Sequence, residues 1–324
     1  MSANSLLNIE RLRTYYFTGG NVVKAVDDVS LNILKGEMLG LVGESGSGKS
    51  SLGLSIMRLV PPPGRIVDGK IILDGIDLTK LPEKELRNVR GKRIGMIFQD
   101  PLTSLNPIQK VGDQIVEAIM VHLPVEREEA REMAAKVFER VGISPERLED
   151  YPHQLSGGMR QRAMIAMAVV LNPDLLIADE PTTALDVIVQ SRIMDLLENL
   201  RRETGMSVLL ITHDLALVLE RCDRVATMYA GQIVEVGSVQ EIASEPLHPY
   251  TRLLLESIPD IEKPVTKLKS IPGNPPDMSN PPPGCRFHTR CPYASKRCKR
   301  ESPPQVNLRG RLVRCFLYAE DGES

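Results

Sequence analysis

Gly43-Glu44-Ser45-Gly46-Ser47-Gly48-Lys49-Ser50 fits the pattern G-x-x-x-x-G-K-[ST]. An apolar run, Met38 to Val42, precedes it, and Leu52, Ile56 and Leu59 follow at the spacing of one helix face. Strand, glycine loop and helix in that order are the context the pattern needs. Glycines let backbone N–H groups close around phosphate oxygens without Cβ clashes, and the helix N-terminus adds partial positive charge. Lys49 is spaced to reach the β- and γ-phosphates of ATP, and the Ser50 hydroxyl to hold Mg²⁺. The loop and the adjoining Ser51 are therefore the expected nucleotide-binding segment.

A phosphate loop of this kind calls for a carboxylate at the end of a later strand. Leu175-Leu176-Ile177-Ala178-Asp179-Glu180 supplies two. Asp179 suits the Mg²⁺ shell, and Glu180 is placed to polarise an attacking water. A second apolar run, Val208 to Ile211, reads as another buried strand, with a helix expected over 189–203 between the two. Upstream, short apolar runs between residues 7 and 42 are broken by Gly19-Gly20 and Lys35-Gly36, which predicts antiparallel strands. Pro61 to Pro63 should end the first helix, and Asp74-Gly75 marks a hairpin. Residues 113–142 have helical periodicity and read as an insertion, and a further helix is expected over 158–171. Together these predict an α/β chain with a largely parallel sheet.

Composition narrows the partners. The chain has 324 residues, 42% hydrophobic and 25% charged, with a formal net charge of −2, no Trp and 5 Phe. Neither an electrostatic surface nor a stacking platform for nucleic acid is expected. No apolar run approaches the roughly 18–20 residues that span a bilayer. The opening MSANSLLNIERLR lacks the pattern of a signal peptide. The expectation is a cytosolic protein that meets a membrane only through partners.

Leu155-Ser156-Gly157-Gly158-Met159-Arg160-Gln161-Arg162 lies between the two sites, with Ser156 and the glycines set to open a helix as a second anion-binding terminus. This segment closely resembles the signature of ABC ATPases. In that family Ser156, Gly157, Gly158 and Gln161 would face the γ-phosphate of ATP held by a partner subunit. The resemblance runs from residue 7 to about 256 and implies further roles. Gln99 matches the glutamine that senses Mg²⁺ and links to the membrane partner. Ala184-Leu185-Asp186 matches the loop that crosses the dimer interface. His213 matches the switch histidine at the γ-phosphate. Tyr16 best matches the aromatic that stacks on adenine, with Tyr15 and Phe17 as neighbouring candidates. The implied fold is an ABC ATPase with a parallel-sheet core, an N-terminal antiparallel β subdomain and a helical subdomain over about 100–170.

Phe98-Gln99-Asp100-Pro101-Leu102-Thr103-Ser104-Leu105-Asn106-Pro107, Tyr151-Pro152-His153-Gln154 and His248-Pro249-Tyr250-Thr251 resemble the subfamily that serves oligopeptide and dipeptide importers. So does the tail from Pro283 to Pro292. The implied complex has a second, usually different ATPase, two transmembrane permease subunits and an extracytoplasmic solute-binding protein, with this chain at the cytoplasmic face of the membrane. Nickel, glutathione and glycoside importers share the subfamily. An ABC ATPase acting on DNA or ribosomes would carry long coiled coils or two cassettes, and neither pattern is present.

Composition shifts after about Pro259, which divides the chain into a nucleotide-binding domain, 1–258, and an extension, 259–324, rich in proline. Four of the five cysteines, Cys285, Cys291, Cys298 and Cys315, fall there, whereas Cys222 reads as a small buried hydrophobe. In a reducing cytosol the clustering points to metal rather than disulfides. The absence of a C-x₂₋₄-C pair favours a [4Fe–4S] cluster over Zn²⁺, and His288 is a further candidate ligand. So little apolar surface in the tail predicts that a metal orders it.

Overall fold

The structure is a computed structural model that describes residues 4–99, 104–183, 185–258 and 270–319. Asp100 to Thr103 of the subfamily motif, Ala184, and the composition boundary at Pro259 lie outside the described residues. The strands in chain order are β1 (Ser5–Thr18), β2 (Asn21–Leu34), β3 (Met38–Val42), β4 (Gly64–Leu73), β5 (Ile76–Asp77), β6 (Ile94–Ile97), β7 (Leu175–Asp179), β8 (Ser207–Thr212), β9 (Arg224–Tyr229), β10 (Gln232–Ser238), β11 (Val306–Leu308) and β12 (Arg311–Val313). The chain divides into two compact units, 1–33, 37–79 and 211–324 in one, and 34–36 and 80–210 in the other.

The first unit holds an antiparallel sheet in the order β2-β1-β4-β5. In it β1 pairs with β4 from Leu7↔Leu73 to Tyr16↔Gly64. The same unit has a parallel pair, β3 with β9, whose five-residue β3 is buried along its whole length. Burial on both faces is what a continuous apolar run in a parallel sheet predicts. Beyond β9 come β10, β12 and β11, all antiparallel. The helix Lys49–Ile56 stops short of Leu59, because Arg58 takes a left-handed backbone with φ 50°.

The second unit pairs β6 with β7 in parallel, Ile94↔Leu175 to Ile97↔Ala178, and β8 flanks β7. The helical insertion expected over 113–142 contains two helices, Val111–His122 and Arg127–Arg140. Leu123 breaks them with extended backbone, the conformation imposed on a residue that precedes proline. The expected α/β class, the antiparallel N-terminal strands and the helical portion are all present.

The tail is ordered in a way its own sequence does not reveal. Phe287 is buried against Tyr229 at 5.1 Å, Tyr250 at 5.4 Å and His248 at 5.8 Å between ring centroids. Four arginines are buried with it: Arg286, Arg290, Arg311 and Arg314. Arg311 bonds Glu235 at 2.8 Å, where Glu235 is fully buried and also accepts the N–H groups of Leu247 and His248. Arg314 bonds Asp28, and Arg286 bonds Asp27 and the carbonyl of Ala230. Paired and multiply hydrogen-bonded, these charges satisfy the condition for burial.

The expected metal site is corrected. Cys285 and Cys291 pack against the Tyr229–Tyr250–Phe287 cluster, and Cys315 packs with Leu247 and Val313. Burial pushes the Cys285 thiol up to about 12 and the Cys315 thiol up to about 11. All four tail cysteines line a cavity of about 170 Å³ together with Phe287, Tyr293 and Phe316. Yet among the described residues no three His, Cys, Asp or Glu side chains are grouped as a metal ion requires. The expectation of an iron–sulfur cluster, or of zinc in its place, is therefore overturned. It assumed that nothing else could order the tail, and the arginine pairs and Phe287 do so.

Candidate functional site

The phosphate loop is held open by close backbone packing. A Cβ at Gly48 (φ 103°) would lie 2.0 Å from the Ala25 carbonyl oxygen, and one at Gly43 would lie 2.1 Å from that of Met228. Only glycine lets the chain pass these points. The loop then enters the helix Lys49–Ile56 directly, with no side-chain cap, so its first N–H groups are not claimed by a capping oxygen. The Lys49 ammonium is buried and donates to the carbonyls of Gly43 at 2.7 Å and Glu44 at 3.0 Å. Ser45 and Gly46 form the exposed crest, and Ser47 is buried. Ser50 and Ser51 lie in the first turn of the helix, half-buried.

Three aromatics are neighbours on β1, and their surroundings differ. The Tyr15 hydroxyl donates to Asp27 at 2.6 Å, and burial pushes its pKa up to about 12, with that hydrogen bond adding to it. The Arg65 guanidinium covers the Phe17 ring at 4.5 Å. Tyr16 lies against Gly64, where a Cβ would come within 2.5 Å of its ring, and its hydroxyl is 3.5 Å from Ser51 Oγ. His213 directly follows β8, belongs to the first unit and is exposed.

In the second unit Asp179 ends β7 and is buried, and Glu180 follows with φ 46°. A left-handed glutamate is a sparsely populated conformation that surrounding contacts must hold. The Gln99 amide donates to Glu180 Oε2 at 3.0 Å, and the Thr183 hydroxyl donates to it at 2.9 Å. Asp179, Glu180 and Gln99 are thus brought to one edge, at the C-terminal ends of parallel strands, where open α/β sheets place their ligands.

Ser156 caps the helix Gly157–Val169 and accepts the N–H of Met159 at 3.3 Å. A Cβ at Gly157 would meet nothing within 4 Å, while one at Gly158 would touch Val189 at 3.2 Å. Packing within this chain does not require glycine at 157. Gln161, expected at a subunit interface, is only 2% exposed and belongs to the inner face of its helix. Asp186 is exposed and caps the helix Val187–Thr204 by accepting the N–H of Val189 at 2.9 Å. Sequence reasoning missed the tail's contribution to the first unit, because its arginines bond carboxylates 76 to 286 residues away and leave no local pattern.

Phosphate loop, strand-end carboxylates and a second glycine-opened helix define an ATP-binding cassette. The ABC transporter family matches residues 26–183, and the C-terminal region of oligopeptide/dipeptide transporters matches residues 234–298. The chain is 49% identical to the oligopeptide transport ATP-binding protein AppD of Bacillus subtilis, over 98% of each chain. It is 47% identical to the dipeptide transport ATP-binding protein DppD of Escherichia coli, again over 98% of each. A dimeric ATP-binding cassette, MJ0796, solved in a post-hydrolysis state with ADP and phosphate, superposes with a TM-score of 0.65 at 29% identity. That likeness covers 72% of this chain and 98% of the other. The chain belongs to the ATP-binding subunits of the oligopeptide/dipeptide ABC transporter family, and it is an ABC-type ATPase. Among the described residues no helix is long and apolar enough to cross a membrane. Its relationship to ATP-binding subunits of peptide transporters implies membrane permease partners.

Proposed function

We propose that this chain hydrolyses ATP to power uptake of di- and oligopeptides through a membrane importer. The observation that carries the reading is relationship along nearly the whole chain, tail included, to subunits named for peptide transport. Lys49 and the loop from Gly43 to Ser51 hold the phosphates, and Tyr16 stacks on adenine. Ser50, Gln99 and Asp179 are the residues that would hold Mg²⁺. Glu180 takes the proton of the attacking water, with Gln99 and Thr183 fixing its carboxylate. His213 reads the γ-phosphate. Mg²⁺, when bound, neutralises charge on the phosphates being separated.

The anion-binding terminus at Ser156, Gly157 and Gly158 acts on ATP held by a second subunit, and the open space at Gly157 supports this. Asp186 and the loop before it lie at the same dimer interface. Two such subunits close on ATP and reopen after hydrolysis, which drives two permease subunits between inward- and outward-facing states. Residues 1–258 form the nucleotide-binding domain and 259–324 the family extension. The complex also holds a second, different ATPase and an external binding protein, and this chain sits at the cytoplasmic face.

Reconstitution with the membrane subunits and the binding protein tests the solute. Di- and oligopeptides are expected to stimulate ATPase activity several-fold. Stimulation by nickel, glutathione or a glycoside, with none by peptides, would reassign the cargo.

A further inference from the structure

Glu44 places a carboxylate within a loop whose ligand carries several negative charges. Like charges at that range weaken binding unless one is neutralised. The neutralising group comes from the tail: Arg290 donates from Nη1 to Glu44 Oε2 at 2.6 Å and from Nη2 to Oε1 at 2.9 Å, a bidentate pair. The Arg290 side chain is 4% exposed and the Glu44 side chain 24%. The same guanidinium is fixed by the Pro272 carbonyl at 2.7 Å and lies 3.3 Å from the Tyr229 hydroxyl. The Glu44 N–H donates to the Tyr250 hydroxyl at 2.8 Å, and the Glu44 carbonyl accepts from Lys49. Glu44 is thus gripped through side chain, N–H and carbonyl. Two of the three grips come from the last quarter of the chain.

We infer that Arg290 is a positioning residue for ATP: by pairing with Glu44 it removes a negative charge from the phosphate loop and fixes the loop's entry. The C-terminal extension is then part of the nucleotide site. A nucleotide approaching without Arg290 meets an unpaired carboxylate beside the loop N–H groups. The cost falls on binding rather than on proton transfer at Glu180, so affinity should drop while turnover at saturation holds. This inference rests on the reading of residues 43–51 as the ATP site.

The test compares Arg290→Met, which keeps side-chain bulk without charge, with Arg290→Met/Glu44→Gln. Equilibrium titration with ATP·Mg²⁺ on the full chain should show Arg290→Met weakened about 10-fold, and the double variant recovered to within about 3-fold of wild type. ATPase kinetics should show the loss in KM, with kcat changed less than about 2-fold. Arg290→Gln carries the same expectation should Arg290→Met fail to fold, as judged by circular dichroism. Lys49→Ala serves as control. If it loses ATP binding while Arg290→Met binds normally, or while the double variant is no better than the single, Arg290 is structural only and the inference falls. If Lys49→Ala binds ATP normally, the underlying site reading falls instead.

Discussion

Glu180→Gln is expected to lower ATP hydrolysis by about 100-fold or more, the scale of a lost general base, while ATP still binds. The substitution is nearly isosteric, so the left-handed backbone at φ 46° and the Thr183 hydrogen bond to this side chain can persist. What disappears is the Glu180 carboxylate, the group proposed to accept a proton from water. With hydrolysis blocked and binding intact, the ATP-bound dimer should accumulate. Phosphate release measures the first effect, and size-exclusion chromatography with ATP the second. Hydrolysis close to the wild-type rate would remove Glu180 from the reaction.

Lys49→Ala should instead abolish nucleotide binding. Its ammonium is buried and ties the Gly43 and Glu44 carbonyls together, so it shapes the loop as well as supplying charge. Hydrogen bonds from a charged donor to phosphate are each worth about 1.5–3 kcal/mol. Losing contacts to two phosphates should then weaken ATP by about 100-fold or more. Calorimetric titration measures this directly. Affinity within a few-fold of wild type would mean that the phosphates bind elsewhere.

The parts of this site that could be read from sequence are those whose chemistry packs into a few consecutive residues. The proposed phosphate cradle draws on Gly43, Gly48 and Lys49 within a few residues, and the proposed Mg²⁺ carboxylate and general base, Asp179 and Glu180, are adjacent. Such patterns survive in one dimension. The tail was illegible for the opposite reason. Arg290 and Glu44 lie 246 residues apart, and Phe287 is buried by Tyr229 and Tyr250, which belong to the cassette. With that packing hidden, the cysteines were the one visible means of ordering a proline-rich segment, and they were wrongly assigned a metal. The strands β11 and β12, three residues each, are too short for alternation to register. Tyr15, Tyr16 and Phe17 are neighbours in sequence, and that Asp27 engages the first and Arg65 the third is likewise not written in any local pattern.

ATP is expected to be held between two subunits, by the phosphate loop of one and the Gly157 terminus of the other. Pairing a Lys49→Ala chain with a differently tagged Gly157→Asp chain tests it, with Glu180→Gln in both to prevent turnover. In a shared arrangement both lesions fall in one composite site and the other stays whole, so purified mixed dimers should bind one ATP per dimer. If each chain used only its own residues, both sites would be damaged. Mixed dimers that bind no ATP would contradict the account.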